Sequence, residues 1–283
     1  MTAYRVYDVF TDTAFGGNQL AVIPDATALP EAVLQKIARE FNFSETTFVY
    51  PPVDPAHTAK VRIFTPTMEV PFAGHPTIGT AIALSDLGRT SPMVLDLGVG
   101  PIPCEVTGNT ASFTTSAPLE TFGTPDVATV AACLGLPDDA ITTQVHAPIQ
   151  ASLGLPFTCV ELTTRAALSA CQPVIDAFRK AAERYPAPLD FAIFAYVRDG
   201  DQLHARMFAP LDNIPEDPAT GSACATITAL LSQIAGTPLA FVIAQGVDMG
   251  RPSVIRAAAL GGTPTPIRVS GQAVLTMEGR LHV

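Results

Sequence analysis

One stretch of this chain is written twice. Arg62, Phe64, Pro66, Pro71 and Ala81 recur 144 residues later as Arg206, Phe208, Pro210, Pro215 and Ala225. Each copy reads as a strand, a Pro-rich turn and a helix with no charge in its first part. A duplicated strand–turn–helix confines the chain to two lobes of like architecture, because each copy must bury the same kind of helix against the same kind of strand. The turns differ where chemistry could live. The first is Phe72-Ala73-Gly74-His75-Pro76-Thr77 and the second is Glu216-Asp217-Pro218-Ala219-Thr220-Gly221-Ser222. Like lobes with unlike turns predict one active site between them, built from different halves.

At 283 residues the chain can hold two domains of ordinary size. Pro118 and Pro125 break the pattern near residues 116–124, which divides the chain into an N-terminal lobe, 1–117, and a C-terminal lobe, 118–272. The last run, 273–283, is a candidate to rejoin the first lobe. Hydrophobic residues are 48% and charged ones 15%, the balance of a packed protein and not a disordered one. A net charge of −10 argues against nucleic acid or an acidic membrane as partner, since phosphate binding needs a basic face. It leaves room for a small anion in a local pocket. The first fifteen residues alternate polar and apolar, unlike a signal peptide, and no uncharged apolar run approaches the roughly 20 residues of a membrane span. Five cysteines, an odd number with no paired spacing, fit a reduced, cytoplasmic protein.

Along the first lobe, Tyr4–Phe10 and Leu20–Ile23 read as strands around the turn Phe15-Gly16-Gly17-Asn18-Gln19. A helix follows, with Pro30 in its first turn and Val33, Ile37 and Phe41 on one face. The second lobe repeats the order. Pro173–Tyr185 reads as an amphipathic helix, and Asp199-Gly200 between apolar runs is a strong hairpin signal. Pro76–Ser85 and Pro218–Ala235 carry no charge at all. A helix apolar or small all round is buried all round. The predicted fold is therefore α+β: two similar lobes, each a β-barrel-like sheet wrapped around a central buried helix. Gly88 and Gly236 suit the helix stops.

Three side chains stand out as chemistry. Asp217 precedes Pro218; the plain reading is an N-cap with Pro218 at the first helical position. Thr220-Gly221-Ser222 beyond it exposes backbone N–H groups, as an anion site does. His75 stands beside Gly74 at the other helix start. A lone histidine is more often structural, but this one is placed to touch a ligand or carry a proton. Glu45 lies between Ser44 and Thr46 in an otherwise apolar segment. Its plain reading is an exposed charge at a strand entrance; its sharper one is a general base in an apolar cleft. A constant offset would pair it with Leu189, so that only one lobe supplies a carboxylate. Gly98-Val99-Gly100 lacks the third glycine and the helix of a dinucleotide fingerprint. The histidines show no metal spacing, Cys224 reads as core and Arg251 as one half of a surface ion pair.

These motifs, with Gly17-Asn18, Ser44-Glu45-Thr46-Thr47-Phe48, Phe64-Thr65-Pro66, Gln245-Gly246 and Gly250-Arg251-Pro252, span nearly the whole chain. In that order the chain resembles the PhzF-like phenazine-biosynthesis isomerases, within the diaminopimelate epimerase-like fold. The resemblance implies Glu45 as the acid/base, with His75 and Asp217 as residues that hold or assist the substrate. It sets Asn18, Ser44, Gly74, Thr220, Gly221 and Ser222 around them. Epimerases of the wider fold use two cysteines at the two helix starts. Ala73 and Asp217 are read at those positions here, so that mechanism is not expected.

The leading expectation is an isomerase, cofactor-free and metal-free, that moves a proton within a small carboxylate-bearing molecule. A racemase or dehydratase on the same scaffold, or a binding protein without catalysis, is the alternative. Ala73 counts against a two-thiol racemase, and the intact set Glu45, His75 and Asp217 counts against a mere binder. Substrate identity is left open, and so is oligomeric state, with a homodimer as one candidate.

Overall fold

The computed structural model of the chain describes residues 1–187 and 191–283. Its contacts divide it into two compact units, one of Met1–Thr114 with Val269–Val283 and one of Thr115–Arg268.

The first unit runs β1 (Thr2–Val9), β2 (Asn18–Ile23), α1 (Glu31–Phe41), β3 (Glu45–Tyr50), β4 (Ala59–Phe64), β5 (Glu69–Val70), α2 (Gly74–Asp86), β6 (Met93–Leu97), β7 (Gly100–Thr107) and β8 (Thr110–Thr115). Strand pairing goes β1–β2–β3–β4–β6–β7–β8 and returns to β1 through the last strand of the chain, Ile267–Leu281. Eight strands therefore close into a barrel, which leaves no unpaired sheet edge. Helix α2 packs on β1, β2, β3, β6 and β7, and every residue from Gly74 to Leu84 is buried. Its lack of charge is what allows this. The one charge comes at the end, where Asp86 accepts the Tyr7 hydroxyl at 2.7 Å. Gly79 permits the close fit: a Cβ there would lie 2.6 Å from Leu20 Cδ2 and 2.7 Å from Val9 Cγ2. Helix α1 covers the outside, burying Leu34, Ile37 and Ala38 on Ile23, Phe48 and Phe64. Pro30 is its N-cap, one residue ahead of the first turn where it was expected.

The second unit runs β9 (Glu120–Gly123), α3 (Val127–Leu134), β10 (Ile149–Ser152), β11 (Pro156–Glu161), α4 (Arg165–Ala170), α5 (Ile175–Arg184), β12 (Ile193–Asp199), β13 (Gln202–Ala209), β14 (Ile214–Asp217), α6 (Gly221–Ala235), β15 (Ala240–Gln245), β16 (Ser253–Ala259) and β17 (Ile267–Leu281), of which β17 belongs mainly to the barrel above. The Asp-Gly hairpin forms as its composition predicts, with Asp199 opposite Gln202 and Gly200 at φ +60°. Helix α6 packs on β10, β11, β15 and β16 and is buried from Ala223 to Ser232. Helices α3 and α5 build a second core with Phe178, Phe191 and Phe208. All five cysteines are free and buried.

Pairing repeats along the chain as the residues do. The order antiparallel, parallel, antiparallel, parallel, antiparallel runs through β1–β2–β3–β4–β6–β7 and again through β10–β11–β12–β13–β15–β16. The repeated arginines have one job in both copies. Arg62 lies over the Phe64 ring and pairs with Glu69 and Glu31; Arg206 lies over Phe208 and pairs with Glu216. Arg206 is the more buried, and its Nη1 also donates to the carbonyls of Leu168, Ser169 and Cys171.

The constant offset fails beyond the strands. Helix α2 follows its N-cap Ala73, but α6 follows Thr220, three residues later than the offset requires. The added residues form a 3-10 turn at Pro210–Asp212. Ala73 thus corresponds to Thr220 and Pro71 to Pro218. Register moves the counterpart of Glu45 as well. Thr46 lies opposite Phe64, and Ile193 lies opposite Phe208. Glu45 therefore matches buried Ala192. Leu189, expected from a constant offset, lies outside the described residues.

Candidate active site

The pleat of β3 decides where Glu45 points. Phe48 is packed under α1. Side chains alternate along a strand, so Thr47 and Glu45 face the other way, toward α2. Thr80 of α2 meets this face, donating from its hydroxyl to Thr47 Oγ1 at 3.0 Å with both side chains fully buried. Two residues before Thr47, Glu45 Oε2 lies 3.3 Å from Nδ1 of His75, the second residue of α2. Glu45 is 16% exposed and His75 only 4%. Glu45 is not the surface charge of the plain reading.

Burial pushes the His75 imidazole down to about 3, against a smaller upward pull from a backbone hydrogen bond at Gln19. The ring is therefore neutral at physiological pH, so its contact with Glu45 is not an ion pair. A neutral imidazole has one N–H and one lone pair, so it can donate at one nitrogen and accept at the other. Its Nε2 is buried with no hydrogen-bond partner among the described residues. Around the pair, Gly74 opens α2 and no side chain caps the helix. Asn18 is buried at the start of β2, opposite Val9, and Ser44 is half-buried just before β3. Gly17, at φ +60°, has no room for a Cβ against the Val9 carbonyl, which is how the turn delivers Asn18 to the strand.

In the second unit Asp217 is not an N-cap. It ends β14 opposite Met207, and α6 starts at Gly221 behind the N-cap Thr220, with no side-chain cap. The three-residue extension of the turn is the reason. Asp217 Oδ2 instead accepts the Thr220 hydroxyl at 2.6 Å. The helix starts to compare are thus Ala73 and Thr220, and neither is a thiol. Gln245 reaches this turn from the end of β15, accepting from Thr220 N at 3.1 Å and donating to the Asp217 carbonyl at 2.8 Å and to Thr220 Oγ1 at 2.9 Å. Gly221 and Ser222 follow as the first two helical residues. Cys224 is core, its thiol raised well above the ordinary range chiefly by burial. The Gln245-Gly246 pair stood out in the sequence without a role. Only the fold, which brings β15 to the turn, supplies one.

The structure thus brings Glu45 and His75 into contact at one uncapped helix start. It gathers Asp217 and Thr220 just ahead of a second such start, at Gly221 and Ser222. Among the described residues no group of three or more His, Cys, Asp or Glu side chains is placed to hold a metal ion. No helix among them is long and apolar enough to cross a membrane.

The family described as phenazine biosynthesis-like protein, PhzC-PhzF, matches residues 7–279. The chain belongs to this family. It is 35% identical to an uncharacterized isomerase of Mesorhizobium japonicum, across 99% of this chain and 98% of that one. It is 34% identical to the trans-2,3-dihydro-3-hydroxyanthranilate isomerase of Pseudomonas aeruginosa, across 100% of both chains. The crystal structure of a Bacillus anthracis phenazine biosynthesis protein of the PhzF family has the same fold, with a TM-score of 0.88 at 21% identity over 100% of this chain and 99% of that one.

Proposed function

We propose that this member of the PhzF-like family is an isomerase that moves a proton within a small carboxylate-bearing molecule by acid/base catalysis. Glu45 takes a proton from carbon and returns it to another position. The observation that carries this reading is the Glu45 carboxylate 3.3 Å from a neutral, buried His75 at an uncapped helix start. A carboxylate in a largely apolar setting is a competent general base, and a neutral imidazole beside it can pass or hold a proton without adding charge.

Developing negative charge needs donors. The first turns of α2 and α6 have no capping side chain and no acidic residue, so their N–H groups suit the carboxylate or enolate oxygens of a substrate. Gly74, Gly221 and Ser222 are assigned to this role. Asp217, with Thr220, is assigned to holding the substrate, as are Asn18 and Ser44. Each unit in this reading is a sheet wrapped on a central helix, and the two repeats have diverged in chemistry. Glu45 is matched by Ala192, so only the first unit has a base at this depth. A racemase needing a thiol at each helix start has neither.

The test is proton NMR of trans-2,3-dihydro-3-hydroxyanthranilate, the compound in the relative's name, with the protein in D2O. Isomerisation with deuterium entering at carbon supports the reading. Turnover with no solvent deuterium and full retention of the original hydrogen, together with undiminished activity of Glu45→Gln, overturns it.

A further inference from the structure

We propose that Gln245 is a positioning residue that fixes the Asp217 carboxylate through Thr220. The proposal rests on the reading that Asp217 and the start of α6 serve the substrate.

Gln245 is fully buried and its amide is used at every position. Oε1 accepts from the Thr220 N–H, and the two N–H bonds of Nε2 go to the Asp217 carbonyl and to Thr220 Oγ1. This fixes the sense of the next bond. Thr220 Oγ1 already accepts from Nε2, so its own proton goes to Asp217 Oδ2, 2.6 Å away. The chain Gln245 to Thr220 to Asp217 runs in one direction. It holds Asp217 as an acceptor with one oxygen pinned.

The repeat shows that this chain is not needed for folding the turn. By register Lys60 opposite Asp96 matches His204 opposite Ala244. Leu97 therefore stands where Gln245 does, and Gly98 where Gly246 does. Both glycines do one job. A Cβ on Gly98 would lie 2.7 Å from Pro71 Cα, and one on Gly246 would lie 2.6 Å from the Pro218 carbonyl oxygen. Each unit thus braces the turn before its central helix by glycine against proline. The first unit does so with an apolar Leu97, which is 7% exposed, and an Ala73 that has no side-chain hydrogen bond. The amide and the hydroxyl occur only in the unit that carries Asp217. That asymmetry separates the polar chain from the architecture and assigns it to the carboxylate.

Three variants test this: Gln245→Leu, which installs the residue of the other repeat, Gln245→Glu and Asp217→Asn. The first readout is crystallographic. In Gln245→Leu the Asp217 carboxylate should leave the Thr220 hydroxyl; an Asp217–Thr220 contact unchanged from the parent overturns the proposal. Kinetics on trans-2,3-dihydro-3-hydroxyanthranilate are the second. Loss of position should lower kcat by about tenfold to a hundredfold with a smaller change in KM. Gln245→Glu adds a readout that a packing role would not move. Its carboxyl can donate to Thr220 only when protonated, so kcat/KM should gain an ionisation absent from the parent, with activity falling as pH rises through it. A parent-like pH profile and kcat in Gln245→Glu overturns the proposal even where Gln245→Leu fails to fold. Asp217→Asn separates the two ideas. Parent-like turnover there removes the reading of Asp217 itself, while loss there with parent-like Gln245 variants removes the positioning role alone.

Discussion

His75 makes the stability of this protein depend on pH in a way that can be worked out in advance. In the unfolded chain an imidazole titrates near 6.5; in the fold, burial pushes it down to about 3. The folded state therefore refuses a proton that the unfolded state accepts. The sign follows: the stability due to neutral burial is fully present above about pH 6.5 and is lost as pH falls toward about 3. At about pH 5 the unfolded imidazole is almost wholly charged and the folded one is not, so the loss is RT ln(1 + 10^1.5), about 2 kcal/mol. Other groups titrate in the same window, and His75→Gln removes them from the comparison by keeping size and polarity without the titration. Urea unfolding of parent and variant at about pH 7.5 and about pH 5 supplies four stabilities. The parent should lose about 2 kcal/mol more than His75→Gln between the two conditions. Equal losses would refute the claim that His75 is held neutral, and with it the description of the Glu45–His75 pair.

Two further outcomes follow from packing and charge. Gly79→Ala should destabilise by about 1–3 kcal/mol, because its Cβ meets Leu20 and Val9 inside the barrel; an unchanged urea midpoint would show that α2 is not held as closely as described. Arg206→Met should cost about 3–5 kcal/mol, since it strands Glu216 and three carbonyls, whereas Arg62→Met, whose partners Glu31 and Glu69 are exposed, should move the urea midpoint far less. Equal midpoint shifts for the two arginines would contradict the assigned difference in burial.

Much of this was legible in the residues. Uncharged Pro76–Ser85 and Pro218–Ala235 were expected to be buried all round; α2 is buried from Gly74 to Leu84 and α6 from Ala223 to Ser232, while the last turn of α6, Gln233 to Ala235, lies in solvent, so lack of charge marked the buried turns but not where burial ends. Asp199-Gly200 between apolar runs could only turn tightly, and it does. Glu45 was visible as a carboxylate in apolar company, although its direction depends on which face of β3 carries Phe48, and that is set by α1. The three-residue shift of the second helix was not legible. Pro215 matches Pro71 in sequence, but Pro218 matches it in space, because a 3-10 turn at Pro210–Asp212 absorbs the difference. That shift made Asp217 resemble an N-cap when Thr220 is one. Gln245 was equally hidden. Its partners lie 25 and 28 residues away in sequence, and only the parallel pairing of β15 with β13 brings it to them. Gly98, which stands outside any dinucleotide fingerprint, owes its place to Pro71, a contact no local pattern reveals.

In the proposed reaction Glu45 moves the proton. The decisive measurement is steady-state turnover by parent and Glu45→Gln beside ligand binding, on a compound that the parent isomerises, beginning with trans-2,3-dihydro-3-hydroxyanthranilate, for which the Pseudomonas aeruginosa relative is named. Gln keeps the size and polarity of Glu45 but removes the base, so kcat should fall by about 10² or more while affinity changes little. Near-parent turnover by a folded Glu45→Gln enzyme would rule out Glu45 and leave His75 or Asp217 as the acid/base.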